Sequence, residues 1–331
     1  MEEGAWKEIT LGTGGAGSTG TDRGLEEAWR VRKANFTDII YFPVPSIIRY
    51  DTECYTNSPA SFVPVSITGR ACALRCDHCN GRILENMIPA ATSGALLALG
   101  KRLAGAGCRG LLISGGSGPD GSVPLDSFID AISELKRAYG LRIAVHTGLV
   151  DRNQARRLAG AGIDVAMIDV IGSAATARRV YHLEAAPQDY IGSVRNLKDE
   201  GVPVVPHIVL GLDYGRLEGE VDALYALSTC GIHELVLVIM MPLKGTRMES
   251  ARPPGPSELA GVFALARGLF HRQHIFLGCA RPGGDHRRDV ELLAVRAGFN
   301  GIAYPSDETI RLARDLGLEA VFSEQCCSLV V

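Results

Sequence analysis

The sequence predicts an α/β fold, a TIM-like (β/α)8 barrel. Two observations carry this prediction: a unit of helix, glycine and strand recurs along the chain, and its strands are apolar at consecutive positions. Strands that are buried on both faces and alternate with helices are typical of a parallel sheet with helices packed around it. The alternative is an open, doubly wound sheet, whose usual G-x-G-x-x-G turn after the first strand is missing here.

In each unit an Ala/Leu-rich helix ends at a glycine, which suits the left-handed conformation at which many helices stop. One copy is the helix Leu96–Gly107, followed by the strand Gly110–Ser114. The eight predicted strands, in chain order, are Phe62–Thr68, Gly110–Ser114, Leu141–Val145, Asp164–Asp169, Val204–Val209, Glu234–Ile239, His274–Leu277 and Gly301–Tyr304.

The extent of the repeat divides the chain into three segments. Residues 1–60 form an N-terminal extension, residues 61–318 the barrel, and residues 319–331 a C-terminal tail that carries a pair of cysteines. The extension lies outside the repeat, and the tail follows the last predicted helix.

Within the extension we expect a flexible start, a helix and an extended lead-in to the barrel. The glycine-rich run at residues 12–20 lacks the preceding strand and the G-K-[S/T] ending of a phosphate loop, so we interpret it as a flexible segment. Asp22 is expected to cap a helix that runs to about Asn35. Phe42–Tyr50 is expected to be extended, because two prolines within it exclude a helix.

Bulk properties exclude several classes of function. The net charge is −3, and acidic and basic residues are mixed along the chain, so nothing points to a nucleic-acid partner. The N-terminus does not resemble a signal peptide, and no apolar stretch reaches the roughly 18 residues of a membrane span. We therefore expect a cytoplasmic protein without membrane contact, whose nine cysteines are thiols or ligands rather than disulfides.

Three cysteines follow the first predicted strand with the spacing C-x3-C-x2-C: Cys72, Cys76 and Cys79. Structural zinc usually takes four ligands, often as two distant pairs, and four-cysteine ferredoxin runs are spaced differently. Three thiolates on one loop instead predict a [4Fe–4S] cluster with one iron open to a further ligand. Zinc, or reduced thiols with a structural role, are the alternatives.

Barrel geometry assigns the remaining cysteines to two ends of the sheet. Chemistry in such barrels lies at the C-terminal ends of the strands, where the three-cysteine loop falls. Cys108 and Cys230 lie between a helix and the next strand, at the opposite end, and are expected to be buried structural thiols.

Four cysteines are candidates for a second iron–sulfur cluster. Cys279 ends the seventh predicted strand, Cys54 precedes the first, and Cys326 and Cys327 lie in the tail. A tail that returns to the mouth of the barrel would bring the pair beside Cys279. The alternative is a tail of loose thiols, which would be prone to oxidation.

The C-x3-C-x2-C loop after the first strand of a barrel resembles the radical S-adenosylmethionine (SAM) superfamily, and the resemblance covers the chain from about Pro45 to its end. It implies that Cys72, Cys76 and Cys79 hold a catalytic [4Fe–4S] cluster whose fourth iron binds SAM. In this family the reduced cluster cleaves SAM to give a 5′-deoxyadenosyl radical, while the protein binds, orients and excludes water.

The resemblance also implies residues that bind SAM. The segment after the second strand stands where the family has a Gly-Gly-Glu-like motif, but Ser117 replaces the acid, so backbone carbonyls would recognise the amino group. An ordinary turn is the alternative for this segment, and a hydrogen-bonded core histidine is the alternative for His146. The implied cofactor-binding residues are His78, Gly115, Gly116, Ser117, His146 and Asp169.

Within the superfamily the chain resembles the biotin synthase and lipoyl synthase group. Gly278–Arg281 is similar to a biotin synthase segment whose arginine binds an auxiliary cluster, and the mix of Cys54 with a cysteine-bearing tail is similar to the two-protein lipoyl synthases. This resemblance implies a sulfurtransferase that places sulfur at an unactivated C–H of a protein-bound octanoyl chain, with the second cluster as sulfur donor.

The implied partners are a lipoyl carrier protein or acylated lysine peptide, a second radical SAM subunit, and an electron donor such as ferredoxin or flavodoxin. Two other functions stay open. One is a radical SAM mutase or maturase, like those that make methylornithine or hydrogenase cofactors, which needs no sacrificial sulfide. The other is a non-catalytic iron–sulfur carrier.

Overall fold

A computed structural model describes residues 18–331, and the first part of the predicted flexible start lies outside the described residues. One parallel sheet carries all eleven strands. The strands are β1 (Ile39–Pro43), β2 (Phe62–Ser66), β3 (Ile88–Pro89), β4 (Gly110–Ser114), β5 (Arg142–His146), β6 (Val165–Asp169), β7 (Val204–Leu210), β8 (Glu234–Ile239), β9 (His274–Leu277), β10 (Gly301–Ile302) and β11 (Glu319–Ser323).

Helices cover the sheet in the predicted alternation. They are α1 (Ser18–Asn35), α2 (Ser93–Gly105), α3 (Ile129–Tyr139), α4 (Arg152–Ala161), α5 (Ala174–Thr176), α6 (Pro187–Asp199), α7 (Glu220–Ser228), α8 (Pro256–Leu269), α9 (Gly284–Arg296) and α10 (Asp307–Asp315). A π-helix, Ala177–Tyr181, continues α5, and three 3₁₀ turns complete the described structure: Arg82–Asn86, Leu125–Phe128 and Cys327–Leu329.

The predicted α/β barrel architecture is confirmed, as a curled parallel sheet. The strand order is β11-β1-β10-β9-β8-β7-β6-β5-β4-β2-β3, so the eight predicted strands are neighbours in chain order. No pairing joins the β3 edge to the β11 edge among the described strands, and the sheet is a half-barrel rather than a hydrogen-bonded ring.

Glycines stop helices as the pattern predicts. Gly140 after α3 and Gly162 after α4 adopt φ of 62° and 71°, a left-handed conformation that costs glycine nothing. At the other end of α4, the carboxylate of Asp151 accepts a hydrogen bond from the N–H of Gln154 at 2.7 Å. The predicted cap at Asp22 is wrong, because α1 begins at Ser18 and Asp22 lies one turn inside the helix.

Both flanking segments contribute strands to the sheet. β1 lies between β10 and β11, and β1 and β11 pair in parallel from Ile39 with Glu319 to Pro43 with Ser323. The start of the tail is therefore part of the sheet, and residues 324–331 continue from its carboxyl end.

The core has two main parts. A large apolar cluster fills the space between the sheet and the helices, and it includes Cys108 and Cys230, both buried as expected. A second cluster fills the concave face, where Phe62, Met167 and Phe276 pack against the tail residues Cys326, Cys327 and Leu329. Within residues 18–331 no helix combines the length and apolar character needed to cross a bilayer.

Candidate active site

The ligand loop, residues 69–81, follows β2 and brings two cysteines and a histidine together. The Sγ atoms of Cys76 and Cys79 and one ring nitrogen of His78 lie within 4.8 Å of one another. The turn is closed by the N–H of Asn80, which donates to the carbonyl oxygen of Cys76 at 2.8 Å. Cys76 and Cys79 are buried, whereas Cys72 is half-buried at the open side of the loop.

The two buried thiols share a proton in a way that favours one thiolate. The hydrogen bond from Cys76 lowers the pKa of Cys79 to about 4, with help from His78 and against the cost of burial. The pKa of Cys76 is raised, first by the same hydrogen bond, next by burial, and last by the charges of Cys79 and Cys72. Because metals bind thiolates, the loop favours a soft cation. Cys72 lies outside this 4.8 Å set, although its charge acts on Cys76, and it would be the third sulfur ligand.

The segment after β4 packs directly on the ligand loop. The N–H of Ala73 donates to the carbonyl oxygen of Ser117 at 2.8 Å, and the N–H of Gly116 donates to the hydroxyl of Thr68 at 2.7 Å. A Cβ at Gly116 would lie 2.0 Å from the carbonyl oxygen of Ala71. Only glycine fits this approach, so the predicted Gly115–Ser117 segment and the cysteine loop form one unit.

Polar side chains on three neighbouring strands form a layer inside the concave face. His146 ends β5 and Asp169 ends β6, and His146 Nε2 lies 3.5 Å from Asp169 Oδ1. Burial alone would raise the pKa of Asp169, but His146, then His207 and His78, lower it to about 2. Burial lowers the pKa of His146, and Asp169 more than reverses this, so the pKa of His146 lies above its ordinary value.

His207 on β7 is a member of this layer that the sequence analysis did not select. Its ring lies 6.2 Å from that of His146. Its Nδ1 lies 3.1 Å from the carbonyl oxygen of Val205, so Nδ1 carries the proton and Nε2 keeps its lone pair. Burial lowers the pKa of His207 to about 4, which leaves the imidazole neutral. Its position in an apolar strand, in line with Asp169, was the signal available.

Three buried polar atoms beside the ligand loop have no hydrogen-bond partner among the described residues. They are Nδ1 of His78 and the hydroxyls of Tyr181 and Tyr190. The rings of His78 and Tyr181 are 5.1 Å apart, and the charge of Asp169 acts on both tyrosines. Since buried polar groups are nearly always bonded, this orphaned set fits a polar ligand between the loop and Asp169.

The structure brings three of the four auxiliary cysteines to one region. Cys326 and Cys327 are buried in the concave face, with Cys326 Sγ 3.9 Å from Met167 Sδ. Cys279 is exposed at the end of β9, within range of the charge of Cys326. Cys54 is half-buried in the loop before β2. No second set of three ligand atoms within 4.8 Å occurs in residues 18–331, so the second cluster stays a prediction.

Arg281 is held in a buried ion pair and does not point toward the region of Cys279, Cys326 and Cys327 as a free ligand. Its guanidinium lies 2.6 Å from Glu291 and donates to the carbonyl oxygens of Gly278 and Ala303. The residue is buried, and these bonds anchor the chain that follows Cys279. The arginine ligand that the resemblance to biotin synthase suggested therefore has no counterpart in this conformation.

The sequence matches the radical SAM superfamily over residues 66–246, more than half of the chain. This protein therefore belongs to that superfamily, whose members bind a [4Fe–4S] cluster and SAM. The thiolate-forming loop, the close-packed glycine segment and the orphaned polar atoms fit these two groups. Cys72, Cys76 and Cys79 would hold the cluster.

Curated relatives narrow the group. Biotin synthases from Brucella ovis and Brucella canis are each 27% identical over 202 residues, which is 56% of this chain and 60% of each relative. The chain thus spans about 60% of the length of the curated relatives it matches. The predicted resemblance to the biotin synthase group is confirmed at this level.

Solved structures share the fold along nearly the whole chain. A methylornithine synthase matches over 97% of this chain and 94% of its own, with a TM-score of 0.64 and 16% identity. An [FeFe]-hydrogenase maturase from Carboxydothermus hydrogenoformans matches over 100% of this chain and 78% of its own, with a TM-score of 0.66 and 14% identity. At these identities the likeness concerns the fold alone.

Proposed function

We propose that this protein is a radical SAM enzyme that inserts sulfur at an unactivated C–H bond. The observation that carries the proposal is the tail, which places Cys326 and Cys327 in the concave face on the same side of the sheet as His146 and Asp169. A substrate held in that face would lie between the ligand loop and the tail thiols. A cluster loaded with SAM would supply a radical able to abstract hydrogen.

The protein's own residues bind and orient in this scheme. The three loop cysteines hold the cluster, and Gly115 and Gly116 let the segment after β4 pack directly on the ligand loop. Asp169, ionised and paired with His146, is suited to accept hydrogen bonds from hydroxyl groups. The tail packs its apolar side chains on the concave face and would help to keep water from a bound substrate.

In its finer form the proposal follows the lipoyl synthases. Partly buried apolar side chains on the concave face, including Leu112 and Val209, would contact an octanoyl chain. Cys279, Cys326 and Cys327, with Cys54, would ligate the sulfur-donating cluster after local rearrangement. A lipoyl carrier protein or acylated lysine peptide would deliver the chain, a second radical SAM subunit would share the insertions, and ferredoxin or flavodoxin would supply electrons.

The polar layer favours a second candidate. A carboxylate paired with a histidine, and a second, neutral histidine, suit a polar, amino-acid-like substrate better than an alkyl chain. Such a substrate is expected of a mutase or maturase, which consumes no sulfide. A non-catalytic iron–sulfur carrier would instead show no cleavage of SAM.

Iron and sulfide counts on anaerobically reconstituted protein test the proposal. We expect about eight irons per chain in the wild type and about four in the double variant Cys326→Ala/Cys327→Ala. Cys108→Ala/Cys230→Ala is the matched control, since both of its thiols are buried outside the concave face. Reductive cleavage of SAM should persist in both variants.

Turnover then separates the candidates. Product that contains sulfur, formed with loss of the second cluster, supports sulfur insertion. An iron count that the tail variant leaves undiminished, together with sulfur-free product, contradicts it and supports the mutase or maturase.

A further inference from the structure

Asp77 lies between two cluster ligands and is tied to three partners. Its side chain is 5% exposed. Oδ2 accepts the hydroxyl of Tyr214 at 2.6 Å, and Oδ1 accepts Nη1 of Arg247 at 2.9 Å and faces Nε2 of His182 at 3.0 Å. The N–H of Asp77 donates to the carbonyl oxygen of Val180 at 2.8 Å.

These partners come from three different loops at the carboxyl edge of the sheet. His182 follows β6 and the π-helix, Tyr214 follows β7, and Arg247 follows β8. One carboxylate therefore fixes the ligand loop to the loops of three neighbouring strands. Hydrogen bonds to an ionised group are about twice as strong as neutral ones, so these bonds to Asp77, which we call the Asp77 network, hold the ligand loop firmly.

Backbone conformation points to the same place independently. Six non-glycine residues have positive φ in the described part of the chain, and four of them belong to the Asp77 network or to the ligand loop. Arg75 and Asn80 lie in the ligand loop, at φ of 47° each, and His182 and Tyr214 are bonded to Asp77, at 55° and 54°. Such conformations persist where the surrounding contacts hold them, and they gather at functional sites.

We propose that Asp77 is a positioning residue for the iron–sulfur cluster. It holds the turn in which Cys76 and Cys79 converge, and it does so through Tyr214, Arg247 and His182 rather than by contact with iron. The inference rests on the cluster of the proposed function and adds the residues that keep its site in shape. Groups that support metal ligands typically change metal affinity 10–100-fold when they are lost.

The test compares iron loss to a chelator in anaerobically reconstituted full-length protein. Asp77→Asn keeps the size of the side chain but removes its charge, and we expect iron loss about 10-fold faster than in the wild type. Arg247→Gln and Tyr214→Phe each remove one bond and should accelerate the loss by a smaller factor. The matched control is Asp164→Asn, because Asp164 is a largely buried carboxylate that pairs with Lys136 at 2.7 Å and Arg142 at 2.9 Å, at the opposite end of the sheet.

The EPR spectrum of the dithionite-reduced cluster separates positioning from general stability. A displaced ligand loop changes the line shape in Asp77→Asn, whereas Asp164→Asn keeps the wild-type spectrum. If Asp77→Asn does not fold, Arg247→Gln gives the comparison, since its side chain is 70% exposed.

Equal iron-loss rates and identical spectra in the wild type, Asp77→Asn and Arg247→Gln would overturn the proposal while leaving the cluster assignment intact. If the wild type binds no iron, both the positioning role of Asp77 and the proposed cluster are contradicted.

Discussion

Gly116 and Cys72 are packed against each other so closely that a Cβ at Gly116 would lie 2.5 Å from the Cβ of Cys72. This contact joins the loop after β4 to the ligand loop after β2. The first of the three cysteines is thus positioned by a neighbouring strand as well as by its own loop.

Replacing Gly116 by alanine should displace Cys72. The added methyl would also lie 2.0 Å from the carbonyl oxygen of Ala71, and backbone must move to relieve such a contact. We expect Gly116→Ala to lower the iron content of reconstituted protein to less than half of the wild-type value. Gly94→Ala is the control, because a Cβ there meets no atom within 4 Å. Full iron content in Gly116→Ala would contradict this account of the loop.

The ion pair between Asp169 and His146 should make stability depend on pH in the acid range. The folded-state pKa of Asp169 is lowered to about 2, so its contribution is complete above the unfolded-state value of about 4 and is lost as the pH falls towards 2. We expect wild type and Asp169→Asn to differ most in unfolding free energy near pH 6 and to converge only as the pH approaches about 2. Denaturant titrations of the iron-free protein measure this difference.

The same pair predicts a change in the titration of His146. Asp169 holds the pKa of His146 above its ordinary value, so Asp169→Asn should lower that pKa. NMR of the histidine ring protons reports it directly. An unshifted His146 in the variant would show that the two side chains do not interact in solution.

Glu234 should destabilise the fold as the pH rises. It is buried at the start of β8, its Oε1 has no described partner, and burial, followed by the charge of Cys326, raises its pKa well above the ordinary value. A carboxyl whose pKa is raised on folding destabilises the folded state above its unfolded-state pKa. The full cost is about 1.4 kcal/mol for each unit by which folding raises the pKa. Glu234→Gln should therefore raise the melting temperature at pH 7 and leave it nearly unchanged near pH 4.

The matched comparison for Glu234 is Glu319→Gln. Glu319 is the first residue of β11 and is exposed, so its substitution should have little effect at either pH. A melting temperature for Glu234→Gln below that of the wild type at pH 7 would contradict the assignment of an uncompensated buried acid.

Local patterns predicted the strands and the ligand loop because both depend on residues that are close together in the sequence. Apolar runs bounded by glycines gave the eight strands, and cysteine spacing gave the site at the end of β2. The pairing of β1 with β11 was not predictable in this way, because its partners are 280 residues apart and β1 ends at Pro43. Aspartates favour helix caps, so local pattern alone predicts a cap at Asp22, although α1 begins one turn earlier.

The polar layer and the tail show a similar limit. Strand-end positions identified His146 and Asp169, but His207 lies inside an apolar strand and joins them only because β7 pairs with β6. The return of Cys326 to the concave face depends on the placement of β11, which the residues around it in sequence do not predict. Long-range pairing decides such contacts, and sequence pattern alone leaves them open.

Reductive cleavage of SAM by the anaerobically reconstituted protein, with 5′-deoxyadenosine as the measured product, tests whether the three loop cysteines hold a catalytic cluster. We expect formation of 5′-deoxyadenosine by the wild type and by Cys108→Ala, and none by Cys72→Ala, Cys76→Ala or Cys79→Ala. Cleavage that persists when any one of the three loop cysteines is replaced, or a wild type that binds iron yet leaves SAM intact, would contradict it.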